Sequence, residues 1–149
     1  MNIIAIVIFI ILTGTALLHA AWGFGLVWPG IDQQSLVNTV IGDPNLSQIP
    51  SMPITLAVAF AIAAAGICAL WGANLIELPL PRWMQKTGII VLTFIFIIRG
   101  LLTYVPNTPL SSGIEPFTTL NTIYYSPLIL AIGAGYAFIW YSAKNIRQQ

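Results

Sequence analysis

Four stretches of this chain are apolar for long enough to cross a lipid bilayer, and that feature limits its fold more than any other. They run over about residues 3–24, 54–75, 87–104 and 125–141. A bilayer interior offers backbone amides no water, so a crossing segment must be a helix or part of a closed barrel. A helix needs about 20 apolar residues to cover the hydrocarbon. The runs are continuous, without the alternation of a barrel strand that faces lipid on one side and lumen on the other. The expected fold is therefore all-α: an integral membrane four-helix bundle, up-down-up-down, forming one domain over residues 1–149. Composition agrees, with 58% hydrophobic and 6% charged residues against about 25% charged in a typical soluble domain.

The first run is expected to be a retained helix rather than a secretory leader, because no basic segment precedes it and it exceeds the usual apolar length of such a leader. Orientation follows from Lys and Arg, which short cytoplasmic links retain. Arg82 and Lys86 lie between the second and third runs, and Lys144 and Arg147 in the tail. The other two links, 28–53 and 106–124, hold Asp32, Asp43 and Glu115 but no Lys or Arg. Both termini are therefore expected on the cytoplasmic side, with two longer loops outside. Those loops are rich in turn formers, such as Gly42, Asp43, Pro44 and Asn45, and Pro106, Asn107, Thr108 and Pro109. The link around Pro79 and Pro81 is short, which makes the second and third helices antiparallel neighbours.

Several function classes are disfavoured at this point. A net charge of +1 gives no basic field for nucleic acid. The lone Cys68 permits no intrachain disulfide and, with a single His19, no zinc set; a six-coordinate haem would need a second axial ligand. No nucleophile-base constellation or Gly-rich phosphate loop is present, so no catalytic residues, metal ligands or cofactor are expected. Ala61, Ala65, Ala69 and Ala73 form a small-residue stripe, and Ala131 with Gly135, and Gly133 with Ala137, repeat the spacing. Such stripes let helices approach closely, within the bundle or against a second copy or a membrane partner.

Polar chemistry gathers near one end. Arg99 is the one charge inside a run. It either snorkels to the head groups or faces the bundle interior as an anchor for an anionic or hydrogen-bonding ligand. His19 falls toward the same end, on a stripe with Thr15, Trp22 and Gly23. It could meet Arg99, which would favour its neutral form, or simply lock two helices together. The segment from Glu115 through Asn121 and Tyr125 to Pro127 leads into the fourth helix, with Ser126 as a cap and Pro127 in the first turn. Glu115 or Asp32 could pair with Arg99.

These residues resemble a bacterial family, domain of unknown function 3995. The likeness rests on His19, Ala20, Ala21, Trp22, Gly23 and Gly25 followed by Trp28 and Pro29, on Arg99 with Gly100, and on Phe117 with Tyr125, Ser126 and Pro127. The resemblance covers nearly the whole chain and implies a small four-helix membrane protein of a bacterial cytoplasmic membrane, with no implied activity, substrate or cofactor. It also implies an acidic residue where this chain has Asn121, which leaves Asn121, Glu115 or Asp32 as partner of Arg99.

The expected function is non-enzymatic: an outward-facing polar pocket of His19, Trp22, Arg99, Asn121 and Tyr125 that holds a lipid head group or a small amphipathic ligand. Two alternatives stand beside it. One is a membrane enzyme or redox partner in which His19 moves a proton and Arg99 stabilises charge. The other is a structural accessory subunit docked through its Ala/Gly faces.

Overall fold

A computed structural model of the chain describes residues 1–108, 110–111 and 113–146, the last three through their backbone. Pro109, Arg147 and the Lys144 side chain, which entered the loop and orientation arguments, lie outside the described residues. The regular elements among the described residues are all helical: α1 (Asn2–Gly23), α2 (Gln33–Val40), α3 (Met52–Gly72), α4 (Arg82–Leu102), α5 (Phe117–Leu120) and α6 (Ser126–Ile146). A π turn, Asn121–Tyr125, joins α5 to α6 without a break. Four helices are long and apolar enough to cross a membrane: α1, α3, α4 and the continuous stretch Phe117–Ala143.

The differences from the sequence reading have physical causes. The third long helix starts at Arg82 rather than at about residue 87. Pro81 ends the link with an extended backbone, and the polar turn after it is made of residues that form helix well although hydropathy passes over them. The first long link is not all turn, because α2 lies inside it. Asp32 caps that helix by accepting from the Ser35 amide at 2.7 Å while the Ser35 hydroxyl receives the Asp32 amide. Its Leu36 and Val37 are fully buried, so tertiary burial sustains a helix that a count of turn formers misses. The fourth long helix begins at Phe117, and Ser126 lies within it rather than capping it.

α1 packs along α3 and α4 along α6, and the two pairs close on a core of Ala5, Ile8, Leu12, Ala65, Ala69, Ala73, Ile89, Ile132, Tyr136 and Ile139. Three members of the alanine stripe are thus used inside the bundle. Tyr136 stacks on Phe96 with ring centroids 5.6 Å apart, and its hydroxyl donates to the Ala65 carbonyl at 2.7 Å. That one side chain ties α3, α4 and α6 together at the centre. Where α3 leads into α4, Gln85 donates to the Trp71 carbonyl and to Asn74 Oδ1.

At the opposite end the two long links dock on each other. The Ile114 amide donates to the Gly42 carbonyl at 3.0 Å, and the Phe117 ring lies against Gly42. Gly42 has φ +74, and a Cβ there would collide with the Phe117 ring, so both backbone and space require glycine. Tyr125 Oη donates to the Thr39 carbonyl at 3.4 Å, joining the π turn to α2. This docked pair of links covers the end of the bundle where the polar residues collect.

Candidate functional site: the Arg99–Asn121 cluster

Arg99 occupies the last turn of α4 and is half-buried. One guanidinium nitrogen donates to Thr103 Oγ1 at 3.2 Å and another to Asn121 Oδ1 at 3.3 Å. Asn121 is fully buried, and its Nδ2 donates to Thr103 Oγ1 at 3.1 Å and to the Leu110 carbonyl at 2.8 Å. Ser126, also fully buried, donates from Oγ to Asn121 Oδ1 at 3.1 Å. Its single hydroxyl proton is spent there, so across the 2.6 Å contact Thr103 Oγ1 must donate and Ser126 Oγ accept.

The bonding is then directional and closed around Asn121. Its two N–H groups go to Thr103 and Leu110, and its carbonyl oxygen receives Arg99 and Ser126, which fills the amide's whole capacity. Arg99 differs, for a guanidinium carries five N–H groups and two are engaged among the described residues. Both engaged partners are neutral. The two carboxylates that the sequence offered as counter-ions are occupied elsewhere: Asp32 caps α2, and Glu115 receives the Thr119 hydroxyl at 3.1 Å and amide at 3.4 Å. The Ser35 amide and hydroxyl bonds hold the Asp32 carboxyl below its usual range.

The π turn makes this cluster geometrically possible. Residues five apart on an α-helix stand about 140° from each other around the axis. The wider turn, in which the Ser126 amide reaches back to the Asn121 carbonyl, puts both side chains on one side of the helix. Pro127 gives the local cause. It has no N–H, and its ring crowds the preceding turn, so a regular α register is disfavoured there. The Thr122 carbonyl, five residues earlier, receives the Tyr104 hydroxyl at 2.9 Å instead.

The other three residues expected in the pocket make their bonds elsewhere. His19 Nδ1 lies 2.9 Å from the Thr15 carbonyl, which can only accept, so Nδ1 carries the proton and a neutral His19 keeps its lone pair on Nε2. The imidazole packs against Trp22 with centroids 4.8 Å apart, and the Trp22 indole donates to the Trp28 carbonyl at 2.7 Å. Tyr125 serves the docking of the links. Among the described residues no hydrogen bond joins His19 to Arg99. Thr103 and Ser126 complete the cluster, and neither was expected in the pocket: Ser126 was read only as a helix cap and part of the family likeness. Thr103 stands four residues after Arg99, a spacing that could have pointed to it; Ser126 had no such signal, because its neighbour on the helix depends on the π turn.

Residues 12–136 match the family described as protein of unknown function (DUF3995), which is most of the chain and contains every residue of the cluster. The chain belongs to this family. No curated protein and no solved structure matches it. For this DUF3995 member, the partners of Arg99 among the described residues are the neutral Asn121 and Thr103.

Proposed function

We propose that this chain is a multi-pass protein of a bacterial cytoplasmic membrane, both termini inside, that holds a small amphipathic ligand by its polar end at Arg99. The observation that carries the reading is a half-buried guanidinium with two neutral partners and unused N–H groups, beside an amide with no capacity left. An Arg costs about 2.5–3.5 kcal/mol at the centre of a span on insertion scales and less toward its end, where Arg99 lies, and neutral oxygens leave its charge uncompensated. An anionic or strongly accepting group on a ligand would supply what the protein withholds. Asn121, Thr103 and Ser126 then act as positioning residues that aim the guanidinium. His19 and Trp22 are bonded within their own segment, so the reading rests on the Arg99 end of α4.

Native mass spectrometry of the protein released from its membrane in mild detergent tests this. The expected result is one adduct of defined mass on the wild type, absent from Arg99→Ala while insertion and topology persist. Equal retention by the variant, or a bare wild type, would overturn the reading. A stoichiometric protein partner in the same spectrum would favour the accessory-subunit role instead.

A further inference from the structure

Beside Arg99 the surface of α4 is hollowed. Val91, Phe94, Ile95, Ile98 and Leu102 line an open, almost wholly apolar groove of about 440 Å³, to which Arg99 adds carbon rather than guanidinium surface. The positions recur at helical spacing, so the groove is one stripe of α4, opposite the Ile89 and Gly100 face that packs inward. All five apolar side chains are exposed on the described structure, and the groove runs toward the helix end that carries the guanidinium.

Resting on the reading of Arg99 as a ligand anchor, we propose that the ligand is an anionic membrane lipid of the outer leaflet. Its phosphate meets the unused N–H groups of Arg99, and one acyl chain lies along the α4 groove. Two physical arguments select this occupant. First, groove and cation are complementary to a molecule with an apolar tail and a negative head, and a guanidinium matches phosphate oxygens in a fork geometry. Second, a second copy of the chain seated on the same stripe about a two-fold axis would bring two Arg99 side chains toward each other without an acid from this cluster to separate them. The lipid reaches the groove sideways from the bilayer, so no opening of the docked links is needed.

The test places the photoreactive residue p-benzoylphenylalanine at Phe94, an exposed position outside the Arg99 network, with the full chain in vesicles of equal phosphatidylglycerol and phosphatidylcholine. Cross-linked lipid is identified by mass. A basic residue near a membrane surface favours an anionic lipid by about 1 kcal/mol, so about fivefold more phosphatidylglycerol than phosphatidylcholine is expected on the Arg99 background. Arg99→Lys keeps an excess and Arg99→Gln brings the ratio to parity. The comparison of the two lipids on the unmodified Arg99 background needs no variant there to fold. Parity with Arg99 in place, or a covalent dimer through position 94, would overturn the proposal. Parity accompanied by a persistent adduct in native mass spectrometry would remove the groove and leave ligand binding at Arg99 intact; parity with a bare protein would remove both.

Discussion

Asn121 is a buried amide whose every donor and acceptor is used, so its replacement is felt by four partners at once. Asn121→Ala leaves the Leu110 carbonyl, Thr103, Ser126 and Arg99 each short of a bond. An orphaned buried polar group costs about 1–3 kcal/mol, reduced where water or head groups can enter. A fall in thermal midpoint in detergent is the expected outcome, and Asn121→Asp separates bonding from charge. The carboxylate cannot donate to Leu110, yet it gives Arg99 a counter-ion and should weaken ligand retention more than stability. Thermal melts and adduct measurements on the two variants check the pair; full retention by Asn121→Asp would contradict the role given to uncompensated charge. At this scale the sequence is informative about Arg99, since a lone charge in an apolar run cannot escape notice. It is uninformative about Ser126, whose place in a Tyr-Ser-Pro segment reads as an ordinary helix start.

Among the elements, α2 shows where hydropathy and turn counting stop being sufficient. Long apolar runs announce α1, α3 and α4 directly, because a run of that length is a sufficient signal by itself. A short helix lying over the end of a bundle has only a cap and two inward residues to declare it, and Leu36 and Val37 become decisive once there is a bundle to bury them. The cap carries a pH dependence. The folded carboxyl of Asp32 titrates below its ordinary value of 3.8 owing to Ser35. Its contribution to α2 is therefore whole above that value and is lost as pH falls through the lower folded value. Amide exchange of α2 should accelerate with acidification beyond the intrinsic trend, and Asp32→Asn should abolish the excess. Identical pH profiles for the two proteins would assign the helix to burial alone.

For the molecule as a whole, the existence of four long helices was legible because a long apolar run is a signal by itself, whereas two of their starts were not: α4 begins at Arg82 rather than at about residue 87, and the last long helix at Phe117 rather than at about 125. The short link makes α3 and α4 neighbours, and they do touch, but the sequence did not show that the extensive contacts are α1 with α3 and α4 with α6. The proposed orientation can be tested in intact cells with Cys68→Ala as background. Asn45→Cys, in the first long link, should react with a membrane-impermeant maleimide from outside, and Glu77→Cys, between α3 and α4, only after lysis. The reverse pattern would place Arg99 at the cytoplasmic end and the lipid in the inner leaflet.

The junction at Asn121–Tyr125 has the character of a phase slip in a screw thread. Ahead of it the thread is indexed to the docked links, through Phe117 and Asn121; behind it, to the packed interior, through Ile132, Tyr136 and Ile139. One residue corresponds to about 100° of rotation, so the number of residues in that turn sets the angle between the two indexings. What faces the guanidinium is thus fixed by a count as much as by side-chain identity.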